Sequence, residues 1–292
     1  MPQKISIRFY DNREVRAVWD DEHSKWWFSV LDIVAAINGQ DDYTRTRNYW
    51  KYLKTKLRKQ GSELVSATNQ LKLRAADGKR YMTDVLDYDG VMQLAKNIPN
   101  TNAARFVHWF AADSDSIDGK SREKAYALWA SGLMENIEIG TTRGLQQIHA
   151  YLFGGFYDFA GQIRNVTISK GGFTFCRARY LHQALRDIDR MPDDSFDEIV
   201  AKYVEMNVAH PFMEGNGRST RLWLDLLLKS RIGRCVDWSQ IAKHDYLNAM
   251  VLSATDPAML HSLLQGALTD KIDDRETFMK GIDYSYYYEQ ND

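Results

Sequence analysis

"HPFMEGNGRSTR", residues 210–221, stands between two stretches that both read as helices. Upstream, "SFDEIVAKYVEMNVA" opens with a Ser195-x-x-Glu198 capping box and carries an apolar stripe through Phe196, Ile199, Val200, Tyr203 and Val204. Downstream, "RSTRLWLDLLLKSRIG" is apolar on nearly every side and belongs in a core. A helix, a short glycine-containing loop and a second helix make an anion site. The backbone N–H groups of Gly215, Asn216 and Gly217 would lie at the positive end of the second helix. Arg218 and Arg221 share one face of its first turn and offer planar donors to phosphate oxygens. Glu214 supplies one hard oxygen, and Mg²⁺ is commonly held by one or two carboxylates together with substrate phosphates. His210, with an ordinary pKa of about 6.5, can take a proton from a hydroxyl. Together these residues describe phosphoryl or nucleotidyl transfer from a nucleotide. The loop is neither a Walker A sequence, which needs Gly-Lys-Ser/Thr, nor a Rossmann Gly-x-Gly-x-x-Gly.

Working outward, "SREKAYALWASGLMENI" and "TRGLQQIHAYLFGGFYDFAG" carry apolar residues at three- and four-residue intervals and extend the helical region toward the N-terminus. The front of the chain reads differently. "ISIRFYDNREVRAVW" is two short strands around an Asp-Asn turn, "WWFSVLDIVAAIN" a strand end leading into a helix capped by Ser29, and "LKLRAADGKRYMTDVLD" a hairpin on Asp77-Gly78. Between them "YTRTRNYWKYLKTKLRKQGS" has seven basic residues and no acid. Its apolar spacing through Tyr49, Tyr52 or Leu53, and Leu57 would turn Arg45, Lys51, Lys54, Arg58 and Lys59 outward. Residues 1–110 hold 18 Lys/Arg against 13 Asp/Glu, whereas the remainder is acidic within a net charge of −1. A basic helix beside a basic hairpin suits a nucleic-acid backbone, and equally a solvated face that keeps a domain soluble.

The twelve-residue loop resembles the Fic family motif, His-x-Phe-x-Asp/Glu-Gly-Asn-Gly-Arg-x-x-Arg, with each specified position filled, and "LQQIHAYLFGGFYDFAGQIRNVTISKGG" is similar to the helix and hairpin that precede it. The resemblance implies transfer of AMP from ATP to a Ser, Thr or Tyr hydroxyl of a target protein, or of the chain itself. His210 would be the base, Phe212 would pack behind it, and Glu214 would hold Mg²⁺. Gly215, Asn216, Gly217, Arg218 and Arg221 would hold the phosphates. "ISKGGFTFC" would be a flap, with Ser169, Lys170, Gly171, Gly172 and Phe173 aligning the target by strand pairing. Residues 13–110 resemble the Bro-N domain of phage antirepressor-type proteins, a family associated with DNA binding. The alternative function is therefore a DNA-binding regulator in which the Fic half is secondary or senses nucleotide.

The chain closes on "GIDYSYYYEQND". Three adjacent tyrosines at a terminus imply a docked tail, and Ser285 and Glu289 share a face if it is helical. The Fic resemblance makes it a C-terminal inhibitory helix whose Glu289 engages Arg221; Gln290 stands where that family prefers Gly or Asn. The expected fold is mostly α, a helical domain with a β-hairpin flap behind a small N-terminal α+β domain. The expected boundaries are 1–112, a linker over 113–120 where small and acidic residues cluster, a catalytic domain over 121–275, and the tail helix over 276–292. Cys176 and Cys235 lie in no disulfide or metal spacing and are expected as buried free thiols. No stretch reads as a leader or a membrane span, so the chain is expected in the cytoplasm, off the membrane and open to homo-oligomer formation.

Overall fold

Asp11 and Asn12 both adopt positive φ, 50° and 59°, the geometry that a two-residue hairpin turn requires, and the chain accordingly begins as a hairpin. The computed structural model describes residues 4–75 and 77–290. It divides between Ser116 and Ile117 into two compact units.

In the first unit, β1 (Ile5–Tyr10), β2 (Arg13–Asp20), β3 (Lys25–Ser29), β4 (Asn69–Arg74) and β5 (Arg80–Leu86) form an antiparallel sheet in the order β1-β2-β3-β5-β4. Against it pack α1 (Val30–Asn38), α2 (Tyr43–Lys59), α3 (Glu63–Ser66), α4 (Tyr88–Asn97) and α5 (Asn102–Asp115). Ser29 caps α1 by accepting from the Asp32 N–H, and the Asp32 carboxylate takes both Nε and Nη2 of Arg16 at 2.7 Å. The core gathers Val15, Phe28, Ile33, Trp50, Leu94, Phe106 and Phe110.

Helix α2 takes the Leu53 alternative of the expected face, with Lys54 as the exception. Thr46, Trp50, Leu53 and Leu57 are buried, while Tyr52 faces solvent. Arg45, Lys51, Arg58 and Lys59 are exposed as expected, but Lys54 is half-buried. Its ammonium pairs with Asp84 at 2.8 Å, beside the bond that the Trp50 indole donates to the same carboxylate. An acid on the neighbouring strand, invisible to the periodicity of the helix, recruits it. The stretch expected as a linker is also helical apart from Ser116, whose N–H and hydroxyl close the last turn of α5 on Ala112 O and Asp113 O.

The second unit is helical: α6 (Ile117–Ser131), α7 (Thr142–Phe153), α8 (Ala178–Asp189), α9 (Phe196–Ala209), α10 (Asn216–Ile232), α11 (Lys243–Leu252), α12 (Ala258–Gly266) and α13 (Arg275–Tyr287). Two short antiparallel pairs interrupt it, β6 (Ser169–Lys170) with β7 (Phe173–Thr174), and β8 (Cys235–Val236) with β9 (Leu268–Thr269). Leu222, Trp223, Leu224, Leu227 and Leu228 bury α10 on nearly all sides, against α7, α9 and α13. This central helix carries the glycine loop at its N-terminus, and the rest of the unit is arranged around that end. Both cysteines are free but only half-buried, a correction to the expected buried thiols, since each lies at a short strand or loop rather than in the helical core. No helix of the described residues is long and apolar enough to cross a membrane.

Candidate active site

The capping box at Ser195 and Glu198 fixes the start of α9, whose far end delivers His210. His210 takes a left-handed conformation, φ 48°, which stops the helix and turns the chain into the loop. Phe212 is fully buried there. Its backbone N–H donates to Asn216 Oδ1 at 2.8 Å and its carbonyl accepts from Asn216 Nδ2 at 2.7 Å, so the Asn216 side chain staples the loop and leaves only its backbone for an anion. Gly215 has φ 82°, and a Cβ there would meet the Phe153 ring at 2.5 Å, so this corner admits only glycine.

Two side chains to which the sequence pattern assigns no role hold this loop in place. His149, on α7, is buried and stacks on Phe212 with ring centroids 3.8 Å apart. Its Nδ1 accepts from the Gly161 N–H, which makes it the Nε2–H tautomer that donates to Glu214 O at 2.8 Å. Arg164 is buried beneath the flap and donates to four carbonyls, those of His210, Val166, Cys176 and Ala209, at 2.5–2.9 Å. A lone histidine on an apolar helix face and a lone arginine just before a hairpin are the only traces of these roles in the sequence. Asp118, from the stretch expected as a linker, is a third, since it pairs with Arg218.

The flap is the expected hairpin. Ser169 pairs with Thr174 and Lys170 with Phe173, and Gly171 and Gly172 turn it at φ 58° and 82°. Behind it the His210 imidazole stacks on Phe175, centroids 3.7 Å apart, with Nδ1 buried. Burial pushes the pKa of His210 down to about 4, so the ring is neutral at pH 7 and able to accept a proton. Burial does the same to His149, also to about 4.

These two rings predict an acid sensitivity. Unfolded, each titrates at about 6.5, so between that value and about 4 the unfolded chain binds more protons, and stability falls as pH drops through this window. Each ring contributes a slope of up to about 1.4 kcal/mol per pH unit. Denaturant midpoints between pH 7.5 and 4.5 should decline, and less steeply in His149→Gln; an equal slope in that variant would assign the acid sensitivity elsewhere.

Glu214 lies beside the loop with its side chain 56% exposed. Oε1 accepts from the Gly215 N–H and from Arg218, while among the described residues no hydrogen bond reaches Oε2. Arg218 is buried over the Phe153 ring. Arg221 is buried too, and its guanidinium meets the tail: Nε donates to Ser285 Oγ at 2.8 Å, Nη2 to Ser285 O at 2.7 Å and to Glu289 Oε1 at 2.6 Å, and Nη1 to the Tyr246 hydroxyl at 3.4 Å. Burial raises the pKa of Glu289 and the Arg221 charge overrides it, leaving the carboxyl below its ordinary value and ionised. The same carboxylate lies 3.8 Å from the Lys170 ammonium of the flap and directly over Gly217, where any Cβ would collide with it.

Helix α13 ends at Tyr287, so Ser285 is in the last helical turn while Glu289 follows in the turn after it. The hydroxyl of Tyr286 donates to Ser121, and that of Tyr288 to the carbonyls of Trp238 and Ile241; both rings are buried. Gln290 contributes its backbone carbonyl to Lys243 at 2.7 Å, a contact that any residue could supply. The structure thus brings His210, Glu214, Gly215, Asn216, Gly217, Arg218, Arg221, Lys170, Ser285 and Glu289 together, while the basic residues of α2 belong to the other unit.

Residues 140–228 match the Fic/DOC family and residues 14–115 the BRO family N-terminal domain. The probable protein adenylyltransferase Fic of Salmonella typhimurium (strain LT2) is 30% identical over 150 residues, which is 46% of this chain and 74% of that protein. The Escherichia coli (strain K12) protein of the same description is 31% identical over 128 residues, 39% of this chain and 64% of the other. The protein adenylyltransferase VbhT of Bartonella schoenbuchensis is 29% identical over 123 residues, 37% of this chain but only 25% of the other. Among solved structures, the BepC protein of Bartonella tribocorum with bound AMPPNP overlaps 54% of this chain and 86% of its own, at 17% identity and a TM-score of 0.45. With a filled motif, a family match across the loop and its flanking helices, and a relative covered over 74% of its length, this chain belongs to the Fic/DOC family.

Proposed function

We propose that this protein transfers AMP from ATP to a Ser, Thr or Tyr hydroxyl of a target protein, and that its own C-terminal segment holds it inactive. The observation that carries this reading is the Glu289 carboxylate, which lies over Gly217 at the N-terminus of α10 and is bonded to Arg221. An anion occupies the place where the helix end and the arginines would receive a triphosphate.

With the carboxylate withdrawn, the backbone N–H groups of the first turn of α10 and the Arg218 and Arg221 guanidiniums would cradle the phosphates. His210 Nε2, the nitrogen left by its buried Nδ1, would take the proton as the target oxygen attacks the α-phosphorus; the bond to the β-phosphate oxygen breaks and pyrophosphate leaves. Positioning and charge stabilisation would supply most of the rate. The residues fit a Mg²⁺ ion: Glu214 is partly exposed with Oε2 unbonded among the described residues, an arrangement suited to one carboxylate ligand completed by phosphates. Mg²⁺ supplies neutralisation of phosphate charge. Glu214→Gln is therefore expected to raise the Mg²⁺ concentration for half-maximal transfer by about tenfold or more, since even outer-shell partners are worth that much. An unchanged Mg²⁺ titration would remove Glu214 from this role. The flap edge at Ser169, Lys170, Gly171, Gly172 and Phe173 would pair with the target segment.

A second role is favoured by the exposed Arg45, Lys51, Arg58 and Lys59 on one helix of the unit that matches the BRO family domain. We assign this unit to duplex DNA. The full-length protein should bind DNA with steep salt dependence, and reversing Lys51, Arg58 and Lys59 to Glu should weaken binding and lower the salt slope by about one for each phosphate no longer neutralised. Absence of binding at low salt would make the unit a protein-docking module instead.

A further inference from the structure

A cavity of 420 Å³ lies in the second unit, walled by α6, α10 and α13. It shares with the candidate site Arg221 and the tail residue Ser285, but none of His210, Glu214, Gly215 and Gly217 borders it. Its volume is that of a small-molecule site, and Trp129, Ile139, Trp238, Phe278 and Ile282 make its walls mostly apolar. The rings of Trp129 and Phe278 lie 5.3 Å apart on neighbouring walls.

One titratable group inside has no use in the proposed reaction, a carboxyl whose pKa burial pushes up to about 7. Asp225, on α10, lies deep in the unit yet keeps accessible surface, and it borders this cavity. Oδ1 accepts from the Val236 N–H at 3.0 Å and Oδ2 from the Trp238 indole at 2.7 Å, which uses about half of the acceptor positions of a carboxylate. Among the described residues it makes no ion pair. Three cations also border the cavity: Arg221, whose charge acts on Asp225 but which is paired with Glu289, Lys229, which is paired with Asp273, and Lys271. A buried carboxyl that makes no ion pair among the described residues, between aromatic walls, is complementary to a positive charge on an apolar body, whose arrival would favour its ionised form.

We propose that this cavity binds a small apolar molecule bearing one protonated amine, the amine meeting Asp225 and the body lying against Trp129, Trp238 and Phe278, and that its occupation holds α13 docked. The helix contributes Thr277, Phe278, Gly281, Ile282 and Ser285 to the wall, so the site is complete only while α13 is seated. A ligand that needs this wall has a differential affinity for the seated state and shifts the population toward it. That seating also strengthens the block by Glu289 rests on the proposed reading of that residue; the site itself does not.

The test uses tryptamine, with 3-ethylindole as its neutral counterpart, titrated calorimetrically into the full-length protein, with amide hydrogen exchange followed across α13. Tryptamine is expected to bind about tenfold or more tightly than 3-ethylindole, a difference typical of a hydrogen bond to a charged group. Asp225→Asn should erase the difference, and Ser230→Trp, at the border, should block both. Exchange in α13 should slow under saturating tryptamine. Equal affinities, no binding of either probe, a preference that survives Asp225→Asn, or α13 exchange unchanged at saturation would overturn the proposal. None of these readouts involves AMP transfer, so a failure of the catalytic reading would be seen separately.

Discussion

Glu289→Gly, incubated with ATP and Mg²⁺, is expected to release pyrophosphate and incorporate AMP on the order of 100-fold faster than the wild type. Uncoupling a buried ion pair is worth about 3–5 kcal/mol. Here the freed Arg221 gains a phosphate partner, so the cost to the resting state becomes a gain for the nucleotide-bound one. The variant should remain folded, because Ser285 and Tyr246 still hold the guanidinium and the hydroxyls of Tyr286 and Tyr288 still anchor the helix. ATP affinity should rise in parallel with the rate. A wild type as active as the variant would mean that the carboxylate is no barrier, and the tail would then be a docked helix that completes the fold.

In the Glu289→Gly background, His210→Ala should lower transfer by about 10²–10⁴-fold, the range that a positioned base supplies. ATP binding should survive, since the proposed phosphate contacts come from the α10 end and the two arginines. Equal loss of binding and transfer would assign His210 to holding the loop, a role its backbone already serves, because its left-handed conformation ends α9 and its carbonyl is bonded to Arg164. Direct binding and single-turnover transfer measured on the same variant separate the two.

What could be read in advance follows from how local each signal is. The loop and its helices were legible because the capping box, the glycines and the arginines act within one or two turns of each other. The hairpins at Asp11-Asn12 and Asp77-Gly78 and the cap at Ser29 are equally local. The outward face of α2 was read less well: Lys54 turns inward to an acid thirty residues away, on a strand whose pairing the helix pattern does not encode. His149, Arg164 and Asp118 escaped for the same reason. Each acts on backbone or charge far away in sequence, and nothing beside them announces it. The tail was anticipated as helical over 276–292, of which 291 and 292 lie outside the described residues, whereas the helix stops at Tyr287 and the glutamate reaches Arg221 from the turn beyond it.

That last placement bears on time rather than on strength. Tyr288, the residue before Glu289, is buried with its hydroxyl on backbone carbonyls of Trp238 and Ile241, and Gln290, the residue after it, is tied through its carbonyl to Lys243, so the single turn that carries the carboxylate beyond the helix is pinned on both sides. Under the proposed reading, a gate built this way is a latch that lifts only when the anchored turn lifts with it. Its openings would then be rare and cooperative, releasing the whole turn at once rather than the side chain alone.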